Sequence, residues 1–282
     1  MSRNLFRQPL MSLLSLAMLA LALPSGAAPV SAGASTIAYA EAPVRLVRDT
    51  SLFVASRGAR LQNGDIIETG TSTIQLDGMG GAIVAVGPAS RVYFKFGGGA
   101  VELTLLNGWI KVQTDAARTT GAIINAGLLR INTGDSSMII SAAPGMTDLF
   151  VETGAPMVAE MQGAKQLRAT KLAREQYAVS TVKESLKVLP RAPKQFLGRV
   201  PPAFYDPLVA VSFKGAAPAP KLERAAVFAT DVAPMLANEP AVFEVLKRRF
   251  NPPPKRASSA AQSVPAAPVP PAKPAPRDTP IY

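Results

Sequence analysis

The side chains that most often carry enzymatic chemistry are missing from this chain: its 282 residues include no Cys and no His. Thiol nucleophiles, disulfides, Cys/His zinc or iron–sulfur sites, haem held by imidazole and every triad with an imidazole base are excluded together. Carboxylate, lysine or tyrosine chemistry remains. Glycoside hydrolysis by a carboxylate pair needs two acids about 5–9.5 Å apart, one of them desolvated. Asp65 with Glu68, and Asp77 with Glu102, are the pairs that strand geometry could pose, yet any β-rich chain contains such pairs. Ser, Tyr and Lys fall in no ordered motif. Gly97-Gly98-Gly99 links two strand-like runs instead of opening a helix, so it is no phosphate cradle. No cluster of Asp marks an oxygen-only calcium site. The sequence therefore predicts no catalytic, cofactor-binding or metal-binding residue, no cofactor, and a protein that is not an enzyme. A carboxylate hydrolase is the least favoured functional reading.

The elements that would position these groups read as strands. Of the 21 glycines, 17 lie between Gly58 and Gly163, whereas residues 42–182 hold only Pro43, Pro88, Pro144 and Pro156. Short alternating runs bounded by turn residues recur through this stretch, as in a multi-stranded sandwich, barrel or short β-coil. They cover 65–68, 72–76, 82–86, 91–96, 101–106 and 109–113, then 128–133, 136–141, 146–153, 156–162 and 175–181. Within Arg91-Val92-Tyr93-Phe94-Lys95-Phe96, the residues Val92, Phe94 and Phe96 share a face. Asn107-Gly108 between two runs predicts a hairpin. Trp109, the single tryptophan, begins an alternating strand and reads as core in preference to a ligand-stacking platform. Gly64 is expected at positive φ in a tight turn, with the Asp65 carboxylate accepting nearby backbone N–H groups, a turn-fixing role and not a catalytic one.

The flanks read differently. Arg3 and Arg7 precede a charge-free apolar run from Leu10 to Leu23, broken by Pro24-Ser25-Gly26. That succession predicts a secretory signal peptide within residues 1–40, cleaved after Ala27 or Ala40. The run is shorter than the ~20 residues of a bilayer-spanning helix, and no later stretch is long and apolar enough, so no membrane span is expected in the mature chain. Residues 1–40 hold two basic and no acidic side chains, leaving 28 Lys+Arg against 19 Asp+Glu, a net charge of +9. An exported protein of this charge meets anionic envelope polymers before it meets nucleic acid. Pro190, Pro193, Pro201, Pro202 and Pro207 make 183–250 a Pro-interrupted extension with two short helices, at 231–236 and 240–250. In the second, Phe243, Leu246 and Phe250 share a face, and Lys247-Arg248-Arg249 close the helix where its dipole favours cations. Residues 251–282 contain ten prolines and read as a disordered, polyproline-like tail.

The ordered set of motifs in 42–182 resembles the FecR-type domain. Leu61-Gln62-Asn63-Gly64-Asp65-Ile66-Ile67-Glu68-Thr69-Gly70-Thr71-Ser72 is similar to its leading signature, and Ala82 to Val92, with Gly87-Pro88-Ala89-Ser90, is similar to its strand–turn–strand. Val101 to Val112, Asp148 to Gly154 and Leu172 to Gln176 look like its later segments. The resemblance implies an all-β module that binds other envelope components. The sigma-regulator segment and transmembrane helix of the best-known members find no counterpart, which implies a stand-alone exported form without a role in iron-uptake regulation. The expected function is a non-catalytic periplasmic interaction module binding an envelope protein, in sensing or envelope assembly. Binding of peptidoglycan or another polyanion is the alternative.

Overall fold

The computed structural model describes residues 35–97, 100–114, 121–162, 165–225 and 240–250. The fold is all-β, as the alternating runs predict, and the described strands lie in two sheets that share one strand. The first begins with β1 (Thr36–Ala40), which precedes the expected domain start at residue 42. β2 (Val44–Arg48), β3 (Ser51–Ala55) and β4 (Ile66–Glu68) belong to the second sheet. β5 (Ile74–Met79) and β6 (Ala82–Val86) return to the first, and β7 (Arg91–Gly97) to the second. β8 (Ala100–Thr114) belongs to both: Ala100 to Asn107 pairs with β7, and Gly108 to Thr114 pairs with β6 and with β11 (Ser136–Ala143).

The chain then re-enters the second sheet as β9 (Ala122–Ala126), parallel to the first half of β8, followed by antiparallel β10 (Leu129–Asn132). Parallel neighbours need a crossover, and the second half of β8 serves as part of it. β12 (Met146–Gly154), β15 (Tyr177–Thr181) and β16 (Lys187–Leu189) extend the first sheet beyond β11. β13 (Met157–Gln162) and β14 (Lys165–Lys171) extend the second beyond β10. β17 (Lys221–Arg224) pairs with β3 at the opposite edge. The first sheet thus runs β1-β5-β6-β8-β11-β12-β15-β16, and the second β17-β3-β2-β4-β7-β8-β9-β10-β13-β14.

Strand alternation sends one side chain set from each sheet into a shared core. Ile74, Leu76, Val84, Ile110, Val112 and Ile140 meet Leu46, Ile67, Val92, Phe94, Leu103 and Ile124 there, all fully or almost fully buried. Val92 and Phe94 lie in this core and Phe96 packs against its margin, as their shared face requires.

Asn107-Gly108 does not form a hairpin; it is the interior point at which β8 changes sheet. Gly108 has φ +93°, and a Cβ there would lie 2.5 Å from the Ser90 Cα. The Asn-Gly pair is read locally as a turn, but long ladders on both sides keep the strand continuous. Ser90, itself fully buried, mends the ladder at this point: its Oγ accepts the Trp109 N–H at 2.8 Å. The Ser90 N–H donates to Thr69 Oγ1 at 2.9 Å, and that hydroxyl donates to the Gly87 carbonyl at 2.6 Å.

Gly64, at φ +87°, and Asp65 fill their expected roles. Asp65 Oδ2 accepts the Gln62 N–H at 2.7 Å. The same carboxylate, 1% exposed, also takes a bidentate pair from Arg48 at 2.9 and 2.7 Å. That hydrogen bond holds the Arg48 guanidinium above its ordinary pKa.

Both outer faces are covered by the extension. On the second sheet, α2 (Pro240–Phe250) places Leu246 and Phe250 against Val47, Leu52, Ile66, Tyr93 and Leu106. Phe243 shares the helix, but its side chain is outside what is described. Of the basic triplet, Arg249 turns inward and donates to the Asp49 and Gly64 carbonyls, and burial holds its pKa below the ordinary value. The expected signal peptide, helix at 231–236 and tail lie outside the described residues. Among the described residues, no helix is long and apolar enough to cross a membrane.

Gly108→Ala combines a left-handed backbone with a buried collision, so a loss of about 3 kcal/mol is expected. Ser90→Ala should cost about 1–2 kcal/mol by orphaning the Trp109 N–H. Urea unfolding midpoints measure both.

Candidate binding groove

The carboxylates suited to acid–base work are each engaged by the protein itself. Asp65 is held by Arg48 and the Gln62 N–H. Glu68, on the outer side of β4, pairs with Arg91 at 3.0 Å and Arg45 at 3.3 Å. Burial alone would raise the Glu102 pKa, but hydrogen bonds from Asn125, Lys95 and Arg130 outweigh it and hold the carboxyl below the usual value. Asp77 accepts the Gly78 N–H at 2.7 Å. Asp77 sits in the first sheet and Glu102 in the second. Among the described residues, no three metal-ligating side chains cluster.

The outer face of the first sheet carries the unexpected chemistry. Lys111 alternates outward from β8, a position that predicts solvent, yet it is fully buried. Its three ammonium protons meet Glu152 Oε1 at 2.8 Å and the Phe204 and Asp206 carbonyls at 2.8 and 2.9 Å. Ser137 donates to the other Glu152 oxygen at 2.6 Å. Gln113 brackets Leu208, accepting its N–H at 2.9 Å and donating to its carbonyl at 3.2 Å, and Gln75 donates to the Val209 carbonyl at 2.7 Å. These side chains bind the segment 190–209 across the sheet as a strap.

The strap has an aromatic anchor at its start. α1 (Lys194–Leu197), one turn after Pro193, inserts Phe196 among Tyr177, Trp109 and Phe150, with ring centroids 5.1, 5.6 and 6.3 Å away. Burial, followed by its hydrogen bond to Asp148, pushes the Tyr177 pKa well above the ordinary tyrosine value. Arg199 donates to the second Asp148 oxygen at 3.2 Å. A 3₁₀ turn, Pro202–Phe204, then brings the strap to Lys111.

Trp109 packs against this outer hydrophobic cluster and not in the core between the sheets. The sheet change at Gly108 sets its face: one residue past it, Ile110 points inward and Trp109 outward. It is half-buried and lines an open groove of about 640 Å³ between the β8 corner and the strap. Pro88, Ala89, Pro201, Pro202 and the 61%-exposed Tyr205 line the groove with it. Ala89 holds φ +49°, locked by its N–H to the Gly70 carbonyl at 2.6 Å and by Asn107 Nδ2 to its own carbonyl. Neither the Trp109 indole N–H nor the Tyr205 hydroxyl makes a hydrogen bond among the described residues. A second groove, of about 530 Å³, lies beside β13 and β14 and is lined by Leu128, Met161, Leu167, Val182 and the acids Glu160 and Glu184.

No family model matches the chain, and no curated protein matches it. Two crystal structures of a candidate anti-sigma factor from Parabacteroides distasonis ATCC 8503, at 1.65 and 2.50 Å resolution, are similar to it. Each gives a TM-score of 0.40 and 11% identity over 47% of this chain, which spans 62% of the length of that protein. The all-β assignment rests on the strand pairing above.

Lys111→Met removes the charge that satisfies Glu152 and two strap carbonyls. A loss of about 3–5 kcal/mol is expected for breaking a buried pair from one side, with new protease cleavage between residues 200 and 209. Unfolding midpoints and mapped cleavage sites check both.

Proposed function

We propose that the chain is a non-catalytic, exported interaction module of the periplasm whose Trp109 groove binds an envelope protein. The observation that carries this reading is the contrast between the two polar sets. The acids weighed for catalysis are engaged by the protein's own donors, while Trp109 and Tyr205 line an open groove and their side-chain donors have no partner among the described residues. Buried aromatic bodies with one wet polar tip are what protein interfaces favour. The FecR-type motif order supports the same class, because Thr69 and Ser90 of those motifs build the corner on which the groove stands.

Export follows from the Arg3/Arg7 and Leu10–Leu23 succession. Cleavage after Ala27 is the reading we adopt, since cleavage after Ala40 would delete β1, whose Ile37 and Ala38 are fully buried. N-terminal sequencing of the periplasmic form should read Ala28 first.

Polyanion binding is a second reading, favoured by Lys165, Arg168 and Lys171, all exposed on β14 and without an ion pair among the described residues. In-cell cross-linking from a photoreactive residue at position 205 separates the two. A reproducible envelope protein, lost on Trp109→Ala, is expected. Recovery of none, together with sacculus binding that vanishes near ~0.5 M salt as charges are screened, would replace the first reading with the second.

A further inference from the structure

We propose that the Trp109 groove is a receptor for a proline-rich segment in the polyproline II conformation, and that its occupant is the chain's own residues 264–276. This rests on the reading of the groove as a binding surface and names its ligand.

The groove's ring-bearing lining is the Trp109 indole, the exposed Tyr205 phenol and the pyrrolidines of Pro88, Pro201 and Pro202, beside the polar Asn107 and Ser141. Among the described residues, the indole N–H, which can only donate, and the Tyr205 and Ser141 hydroxyls of its lining make no hydrogen bond. The rim cation, Arg199, is paired with Asp148. A ligand matched to such a surface offers apolar ridges and carbonyl acceptors and brings few N–H groups of its own. A polyproline II strand is that ligand: it makes no internal hydrogen bonds, leaves its carbonyls exposed and lacks N–H at every proline. Aromatic-lined grooves accept this conformation because it is already ordered before binding.

The sequence after the last described residue has the proline spacing that such a strand needs. Between Val264 and Pro276, prolines stand at 265, 268, 271 and 274. At three residues per turn these four form a single ridge along a polyproline helix. Pro270 and Pro276 fall on a second ridge with Lys273. Four prolines on one edge is a docking pattern, whereas solvation alone asks for no spacing.

The chain can reach. α2 ends at Phe250 on the outer face of the second sheet, and the groove opens on the outer side of the first. Phe250 shares a cluster with Leu106, three residues before Trp109 on β8, and residues 251–264 extend about 43 Å at ~3.1 Å per residue. A tether of this kind presents the segment at about 1 mM. A modest intrinsic Kd of about 0.1 mM would then keep roughly nine grooves in ten filled. A proline-rich segment of a partner protein would enter by displacing the tail.

Trp109 is the only tryptophan, so its fluorescence reads the groove alone. The test compares acrylamide quenching of the mature full chain with that of a variant carrying Pro265→Ser, Pro268→Ser, Pro271→Ser and Pro274→Ser. The wild type should be quenched roughly twofold less and emit at shorter wavelength. A synthetic peptide of residues 262–277 should restore protection to the variant, saturating near ~0.1 mM, and should fail when Tyr205→Ala is added. Equal quenching of the two chains with no response to peptide overturns the proposal. Protection that grows with protein concentration also overturns it, by assigning the groove to a second copy's tail. If Trp109 ignores the tail while cross-links from position 205 still capture an envelope protein, this inference fails and the interaction-module reading stands.

Discussion

One strand holds the molecule's two sheets in register. β8 carries the second sheet's ladder up to Asn107 and the first sheet's ladder from Gly108 onward. A strand cannot change sheets without leaving a backbone donor unpaired at the bend, and a buried unpaired N–H costs about 1–3 kcal/mol. The Ser90 hydroxyl takes that donor, and Thr69 fixes Ser90 in turn. The crossing geometry leaves no room for a side chain at residue 108. With the crossing secured, the two inner faces meet, β9 can return parallel to the first half of β8, and a core of aliphatic side chains fills the gap.

A sandwich whose outer faces are also apolar needs further cover. Val47, Ile66 and Tyr93 on one side, and Ala85, Ile139 and Tyr177 on the other, would otherwise present wide exposed patches. The extension meets this need twice, with α2 on the second sheet and the 190–209 strap on the first. Apolar contact alone would let a strap slide. Lys111, Gln113, Gln75 and the Asp148–Arg199 pair give it a register, because each must meet a particular carbonyl or carboxylate. Buried ions are poor sources of net stability and strong penalties when half-paired, so such contacts specify position more than they add strength. Exposed pairs such as Lys95–Glu102 contribute less than about 1 kcal/mol.

The groove arises where these two devices meet. The β8 corner turns Trp109 outward, the strap brings Pro201, Pro202 and Tyr205 alongside, and Phe196 backs the indole from below. The left-handed backbone of Ala89 is held at the rim by hydrogen bonds from two directions. Strain kept in place by its surroundings is common at binding surfaces. The chemistry left open is the Trp109 indole N–H and the hydroxyls of Tyr205 and Ser141 on a largely apolar groove. The acids that might have supported catalysis are spent on holding turns, ladders and the strap.

Much of this was legible in the sequence. Alternation located the runs of β4 to β7, β10 to β13 and β15, placed Val92, Phe94 and Phe96 on one face, and gave Gly64 and Asp65 their turn roles, since each depends on nearest neighbours along the chain. The absence of Cys and His bounded the chemistry before any fold was known. What local pattern could not decide was pairing. Asn107-Gly108 reads as a hairpin because a dipeptide reports only its own preference, and only ladders from residues 82–86 and 136–142 hold it straight. β1 and β9 are strands because partners well removed along the chain supply their hydrogen bonds, whereas β14 pairs with its sequence neighbour β13. Lys111 has the pattern of a solvated residue and becomes buried because a strap more than 90 positions later delivers two carbonyls to it. Periodicity fixes which face a side chain takes, but what covers that face is set by long-range contacts, and that is where the groove was made.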